Sequence, residues 1–145
     1  MKILFLDIDG VLNSVRSSVA FDGYPNFKNI DKMDKIAVNL IKKVCIKTGS
    51  VICLSSTWRH YVDLLLFSKE IDLPIISKTS RKLTATRGEE IAMWLRDNKD
   101  IEKYAIVDDD SELLIEQIPY FVKVDFYDGL SYDNYVNLLR ILTTQ

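Results

Sequence analysis

The opening of the chain holds the feature that most restricts its fold, an apolar run that ends in two acidic residues and a glycine. Residues 3–6 are apolar without alternation, which is typical of a strand buried on both faces, as at the centre of a parallel sheet. Asp7 and Asp9 follow, and because side chains alternate along a strand we expect both on one side of the chain. Gly10 then permits a tight turn. The pattern predicts a cation or phosphoryl site at the strand's exit, although solvated acids capping a strand end would give the same letters.

Composition is typical of one soluble intracellular domain that spans residues 1–145. The chain is 48% hydrophobic, enough to bury a core without disulfides or a structural metal. Cys45 and Cys53 lie in apolar patterns without a Cys-x-x-Cys, so we expect buried, reduced thiols. No signal peptide or apolar run of the ~20 residues that a membrane span needs is visible. The net charge of -2 gives no overall attraction to nucleic acid, so contact with a polyanion requires a local basic patch.

Four further apolar runs alternate with helical patterns, which predicts an α/β fold. The predicted strands are 51–54, 73–76, 104–107 and 121–124, and the predicted helices begin near Met33, after His60, at Thr86, after Asp110 and at Ser131. Gly49 ends the first of these helices, and residues 14–28 lack periodicity, as in a loop or small flap. Strands that alternate with helices predict a three-layer, Rossmann-like fold around a central five-stranded parallel sheet without a second domain.

Polar clusters follow the predicted strands at the edge where parallel sheets bind ligands. They are Asp7 with Asp9, Ser55 with Ser56, Arg87 in the first turn of a helix, and Asp108 with Asp109. Taken singly, each is compatible with a helix cap or a surface charge. Four placements on one edge predict a common site. His60 is the only histidine, so sites made of several histidines are excluded.

These motifs resemble the haloacid dehalogenase (HAD) superfamily of phosphatases and phosphotransferases, over essentially the whole chain. The segment from Asp7 to Leu12 is similar to its first motif, Ser55 to its second, Arg87 to its third and Asp108-Asp109 to its fourth. The first motif with Asn13, together with Ser55-Ser56-Thr57-Trp58-Arg59, resembles the small HAD domains of RNA-repair proteins and phage polynucleotide phosphatases. The resemblance implies a HAD-like fold, and the absence of a long insertion after the first or third strand predicts that it lacks a large cap domain.

The resemblance implies an aspartyl-phosphate mechanism. Asp7 would be the nucleophile and Asp9 the general acid and base. Ser55 and Arg87 would bind phosphoryl oxygens. Lys is commoner than Arg in the third motif, and Lys82 lies close enough in the sequence to supply that cation instead of Arg87.

The resemblance also implies a magnesium cofactor and a set of substrate contacts. Mg²⁺ suits an all-oxygen site formed by Asp7, the backbone carbonyl of Asp9, and Asp109 or Asp108. The implied substrate-binding residues are Gly10, Asn13, Ser56, Thr57, Arg59 and Lys82.

The function expected from these residues is removal of a terminal phosphate from a nucleic acid. The expected location is the cytoplasm, which is the host cytoplasm if the chain is phage-encoded. An open site and the basic residues Arg59, His60, Lys78, Arg81 and Lys82 favour a polynucleotide end, although ordinary solvated charges explain them equally well. The alternative substrates are nucleotides and other small phosphate esters.

Two classes of non-enzyme remain to be weighed. A receiver-type signalling domain also combines acids, a hydroxyl and a cation, but there the phosphoacceptor follows the third strand, whereas here the last acids follow the fourth. A non-catalytic phosphate-binding module is the other alternative, and the presence of every candidate catalytic residue argues against it. Mg²⁺-dependent phosphate release distinguishes the enzyme from both.

Overall fold

A single all-parallel sheet of five strands lies at the centre of the computed structural model, which describes residues 1–144. The strands are β1 (Lys2–Leu6), β2 (Val51–Leu54), β3 (Ile75–Lys78), β4 (Lys103–Asp108) and β5 (Phe121–Lys123). Their order is β3-β2-β1-β4-β5, which confirms the predicted α/β fold and the central place of the first strand. Leu6 pairs with Leu54 of β2 and with Val107 of β4, so these three strands end level with one another.

Helices cover both faces of the sheet. They are α1 (Val15–Ala20), α2 (Lys35–Thr48), α3 (Leu64–Ile71), α4 (Arg87–Asp97) and α5 (Tyr132–Thr143), with 3-10 turns at Thr57–His60 and Ile115–Tyr120. Helix α2 begins where the Asp34 side chain accepts hydrogen bonds from Ile36 N and Ala37 N. It ends at Gly49, whose φ of 72° lies in the left-handed region that glycine tolerates. Both boundaries are close to those predicted.

The side chains of β1 alternate between two hydrophobic clusters, which explains an apolar run without alternation. Leu4 and Leu6 pack in the larger cluster, with side chains of α2, α3 and α5. Ile3 and Phe5 pack in the smaller one against α4, where the Phe5 ring lies edge-on to Trp94 at 5.4 Å. Each such buried side chain contributes roughly 1.5–3 kcal/mol, so β1 is anchored from both sides.

Two connections differ from the prediction. The flap after β1 contains α1, which begins with a reciprocal capping box between Ser14 and Ser17. The predicted helix between Asp110 and about Gln117 is wrong, because that segment has no α-helix and ends in the 3-10 turn. Its backbone groups are paired elsewhere: Glu112 O accepts from Gly88 N at 2.9 Å, and Leu114 N donates to the Gln117 side chain at 3.0 Å.

Three further expectations concern the two thiols, a cap domain and membrane-spanning helices. Cys45 and Cys53 are free and buried, and burial raises their pKa to about 11 and about 12, so both stay protonated. Within residues 1–144, neither the segment 7–34 after β1 nor the segment 79–86 after β3 holds a cap domain. None of the helices in this range is long and apolar enough to cross a membrane.

Candidate active site

Three acidic side chains meet where β1 and β4 end. Asp7 directly follows β1, and its backbone N donates to Val107 O of β4 at 3.1 Å. Asp108 is the last residue of β4 and Asp109 follows it. Each of the three residues offers a carboxylate oxygen, and these oxygens lie within 4.8 Å of one another. Asp7 is only 5% exposed and Asp108 is fully buried. These two acids therefore lie at the border of the hydrophobic core and are not solvated residues that cap a strand.

Arg87 lies beside this triad. Its Nη1 is 3.3 Å from Asp7 Oδ1 and 2.5 Å from Asp108 Oδ2. Thr86 caps α4 by accepting from Glu89 N at 3.3 Å, which sets the first helical turn at the sheet edge as predicted. The Lys82 side chain is exposed and makes no ion pair within residues 1–144. Of the two candidate cations, Arg87 is therefore the one that contacts the acids.

The triad carries more acid than Arg87 can balance. Burial, followed by the charge of Asp108, raises the pKa of Asp7 to about 9, with a further increase from Asp109 and an opposing effect of Arg87. Burial also raises the pKa of Asp108, against the effects of Arg87 and of the hydrogen bond from Asp110 N. On Arg87 burial acts to lower the pKa, but Asp108 and Asp7 outweigh it and the pKa is raised. A cation bound among the three carboxyls would relieve this excess of negative charge.

The Asp9 carboxylate lies apart from the triad and is held by two donors. Trp58 Nε1 and Asn13 Nδ2 both donate to Asp9 Oδ1 at 3.0 Å. No donor within residues 1–144 bonds to Oδ2. Asn13 in turn accepts from Gly10 N at 3.1 Å, which closes the turn after Asp9. Because β1 ends at Leu6, the strand alternation that would place Asp7 and Asp9 on one side does not extend to them.

Gly10 lets the two loops of the site approach each other. Its φ of 85° is in the left-handed region, and a Cβ at this position would lie 2.3 Å from Asp109 Oδ2. Both observations require glycine. The turn after β1 and the acid after β4 thus pack against each other without an intervening side chain.

The Ser55 hydroxyl is a buried polar group without a partner. Ser55 follows β2, donates its backbone N–H to Leu6 O at 3.0 Å and is 1% exposed, yet its Oγ forms no hydrogen bond within the described residues. Leaving such a group unpaired costs about 1–3 kcal/mol, so this hydroxyl is free to bond to a ligand oxygen. The neighbouring Ser56 side chain accepts from Trp58 N at 3.2 Å and caps the 3-10 turn, while Thr57 is exposed.

Arg59 was predicted to lie on a loop near this edge and to contact substrate, but the side chain is buried and bonded within the protein. It is 4% exposed. Its Nε donates to Thr79 O, its Nη1 donates to Ser55 O and Ser56 O, and its Nη2 donates to both carboxylate oxygens of Glu90. All five donors are therefore used inside the protein, where they hold the loop after β2 against α4.

Two clefts are lined by residues of the site. The first, of about 480 Å³, is lined by Asp9, Gly10 and Asp109 and by the aromatic rings of Tyr24, Phe27, Trp58 and Phe126; we call it the aromatic cleft. The second, of about 460 Å³, is lined by Thr57, Arg87 and the basic residues His60, Arg81 and Lys82, and also by Asp110 and Glu112; we call it the charged cleft. The sequence analysis gave no role to Trp58 and the other aromatic residues. The one signal that could have identified them is the presence of large aromatic side chains in otherwise polar loops.

Four features define a HAD-type domain. They are a parallel sheet with a buried acid after its central strand, an acidic pair after β4, Arg87 at the start of a helix, and a serine after β2. The family model for the HAD domain in Swiss Army Knife RNA repair proteins matches residues 3–135, and the chain belongs to this family. No curated protein and no solved structure matches the chain significantly.

Proposed function

We propose that this chain is a magnesium-dependent phosphomonoester hydrolase that removes a terminal phosphate from a nucleic acid through an aspartyl-phosphate on Asp7. The observation that carries the proposal is the contact of Arg87 with Asp7 inside the acidic triad. A carboxylate next to a fixed guanidinium at the C-terminal edge of a parallel sheet is suited to attack a phosphoryl group whose oxygens the guanidinium binds.

The residues present fit a divalent metal. Asp7, Asp108 and Asp109 would hold it, with the Asp9 backbone carbonyl as a further ligand. An all-oxygen donor set favours Mg²⁺ over the softer metals. The raised pKa values of Asp7 and Asp108 support the same conclusion, because two buried carboxyls that resist ionisation are stabilised as carboxylates by a dication. When bound, Mg²⁺ would neutralise charge on the phosphoryl oxygens.

The proposed reaction divides hydrolysis into two displacements. A carboxylate oxygen of Asp7 attacks phosphorus while the bond to the leaving oxygen breaks, and Asp9 gives its proton to that oxygen. Asp9, now a carboxylate, takes a proton from the water that attacks the aspartyl-phosphate. This second step releases inorganic phosphate and restores both acids. The hydrogen bonds from Trp58 and Asn13 to Oδ1 support this role, because they orient the Asp9 carboxyl and leave Oδ2 for proton transfer.

Ser55 and Arg87 would bind the phosphoryl oxygens that are not displaced. The unpaired, buried Ser55 hydroxyl supports this assignment, since a phosphate oxygen would supply the partner it lacks. Arg87 has donors beyond those that contact Asp7 and Asp108, and a guanidinium binds phosphate in a bidentate manner. Gly10, in the turn after β1, and Ser56 and Thr57, in the turn after β2, are the further proposed substrate contacts.

A nucleic-acid end as substrate is supported by the family and by the clefts. The family comprises HAD domains of RNA repair proteins. The aromatic cleft is lined by Asp9 and Asp109 and the charged cleft by Arg87, each has a volume of more than 400 Å³, and no cap domain within residues 1–144 separates them from solvent. In the charged cleft, Arg81 and Lys82 are exposed and available to phosphates of the chain, although Asp110 and Glu112 oppose this attraction.

The proposal is tested by a substrate panel with Mg²⁺ and, as a control, with a chelator. Oligonucleotides phosphorylated at the 3′ or the 5′ end are compared with mononucleotides and sugar phosphates, and released phosphate is measured. We expect metal-dependent release that is fastest from one class of oligonucleotide and absent in Asp7→Asn. Release from no substrate would overturn the enzymatic proposal, and equal rates on mononucleotides would transfer it to small phosphate esters.

A further inference from the structure

We propose that the aromatic cleft binds the nucleobase of the terminal nucleotide, the one that carries the phosphate, so that the substrate is an unpaired end. This inference rests on the proposed function and names the part of the substrate that the site recognises. It gives a role to three aromatic residues that the chemistry does not use: Tyr24, Phe27 and Phe126.

The position of Asp9 connects the cleft to the leaving group. Asp9 lines the aromatic cleft, and Trp58 Nε1 donates to its Oδ1 at 3.0 Å. As the proposed acid, Asp9 must reach the oxygen that leaves with the nucleoside. The nucleoside therefore departs on the side of the site where Asp9 lies. Arg87 and Thr57 line the other cleft, so the two clefts are suited to different parts of the substrate.

The chemistry of the cleft suits a base rather than a backbone phosphate. The lining residues that carry a charge are Asp9 and Asp109, both negative, so the cleft repels a second phosphate. The exposed rings offer flat apolar surface: Tyr24 is 54%, Phe27 43% and Phe126 47% exposed. A neutral, planar group that stacks on aromatic rings satisfies both conditions, and nucleobases are such groups. The volume of about 480 Å³ falls in the range of roughly 300–1,000 Å³ typical of small-ligand sites.

Contacts within the protein support two of the aromatic residues that line the cleft. The ring of Phe27 stacks on Tyr61 at 5.0 Å with an interplanar angle of 15°. The backbone at Phe126 is joined to the start of α1, because Val15 N donates to Phe126 O at 3.2 Å and Arg16 N donates to Tyr127 O at 2.8 Å. A preformed stacking surface avoids part of the ordering cost of binding.

The consequence is a requirement for a free base at the phosphorylated end. In a duplex the terminal base is stacked on its neighbour and paired, and it has to leave that stack to enter a cleft. Single-stranded ends and frayed ends should react faster than blunt duplex ends, and removing the base should slow the reaction even though the phosphate is unchanged.

The test compares single-stranded pentanucleotides, phosphorylated at the 3′ or the 5′ end, with counterparts whose terminal nucleotide is abasic. The wild type should show a kcat/KM about 5- to 150-fold higher for the base-containing substrate, the range expected for base–aromatic stacking. Phe27→Ala and Phe126→Ala should bring this ratio towards one. Tyr120→Ala removes a ring that is 42% exposed and packs on Tyr104 of β4, outside both clefts, and should leave the ratio unchanged. Equal values for the two wild-type substrates, or for blunt and single-stranded ends, would overturn the inference.

A binding measurement separates failure of this inference from failure of the proposed function. The same pentanucleotides, made without the terminal phosphate, are titrated against the wild-type protein by fluorescence anisotropy. The base-ended form should bind several-fold more tightly than the abasic form, and Phe27→Ala should remove the difference. This result would hold even if no substrate were hydrolysed. Hydrolysis with no effect of the base on binding or rate would leave a phosphatase whose aromatic cleft has no part in recognition.

Discussion

The Asp7 carboxyl has its pKa raised from 3.8 to about 9, chiefly by burial and by Asp108. The folded protein then binds this proton more tightly than the unfolded chain does. Stability contributed by the protonated form is fully present below pH 3.8 and is lost as the pH rises towards about 9. Asp7 therefore destabilises the metal-free fold at neutral and alkaline pH, where the unfolded chain ionises this carboxyl freely and the folded protein does not.

Asp7→Asn should consequently stabilise the metal-free protein. At about pH 8 we expect a gain of at least about 1 kcal/mol, or roughly 3 °C in Tm for a chain of this length. Mg²⁺ should raise the Tm of the wild type and leave that of Asp7→Asn almost unchanged. Thermal unfolding with and without the metal, from acidic to alkaline pH, measures both effects. A variant less stable than the wild type at every pH would show that the Asp7 carboxylate is not under electrostatic strain.

Asp9→Asn should nearly abolish turnover while leaving metal binding intact. General acid and base catalysis typically contributes about 10²- to 10⁴-fold, and an amide can still accept the hydrogen bonds from Trp58 and Asn13. Steady-state kinetics gives the loss, and the metal-induced Tm shift serves as the control for folding. A loss below about tenfold would mean that Asp9 orients the site without transferring a proton.

For single residues, the sequence predicted where the acidic side chains lie but not which side chains bond to them. Asp7, Asp108 and Arg87 could be placed because each lies at the end of a strand or the start of a helix. The hydrogen bond of Trp58 to Asp9 joins residues far apart in the chain, and so does the ion pair of Arg59 with Glu90. Such contacts depend on how loops fold back, which no local pattern encodes. Arg59 could therefore be taken for an exposed cation although it is buried.

The first turn of α4 is the element that delivers the positive charge. Gly88 sits so close to the segment after β4 that a Cβ would lie 2.7 Å from Leu114 N. Gln117 Nε2 also donates to Gly88 O at 2.8 Å. These contacts fix the start of the helix against the loop that carries the acids, so Arg87 is held in place by the backbone as well as by its ion pairs.

Arg87→Ala should therefore reduce kcat/KM strongly, and Arg87→Lys should recover part of the loss because it restores the charge without the bidentate geometry. Lys82→Ala is the matched control, since it removes a nearby cation whose side chain makes no ion pair within residues 1–144. It should leave hydrolysis of a small ester intact. The opposite pattern, with Lys82 essential and Arg87 dispensable, would assign the third motif to the loop before α4.

Element prediction succeeded where periodicity and buried runs agreed and failed where side chains replaced the helical hydrogen bonds. All five strands were predicted, although β3 lies two residues later than expected. The segment after Asp110 has apolar residues at helical spacing, but Gln117 and Gly88 take up its backbone groups and Pro119 limits the turn that follows. Here a close approach between α4 and the loop decided the conformation.

On the scale of the whole molecule, β2, β1 and β4 end at the same level of the sheet. Ser55, Asp7 and Asp108 are therefore brought together at one edge. Sequence could predict that edge because parallel strands share it. It could not predict the two clefts, whose walls come from loops that are separated along the chain. The capless arrangement leaves both clefts open, which supports a long substrate.

A long substrate should be used better than its terminal mononucleotide. Each additional phosphate near the charged cleft adds counterion release, so kcat/KM should rise with length and fall more steeply with added salt. Charge reversal at Arg81 and Lys82 should remove this advantage without changing hydrolysis of p-nitrophenyl phosphate. Rates measured over a series of lengths at low and high salt test this. Equal efficiency on mononucleotides at low salt would favour a small-molecule phosphatase.

The most direct test of the proposed chemistry is to find the phosphoryl group on Asp7. The wild type is mixed with the best phosphorylated oligonucleotide and Mg²⁺, quenched in acid, and treated with borohydride, which reduces an acyl phosphate to an alcohol. Peptide mass spectrometry then locates the reduced residue. We predict reduction at Asp7, and none when the metal or the substrate is left out. Phosphate release with the label on Asp9, on Asp109 or on no residue would contradict the aspartyl-phosphate mechanism.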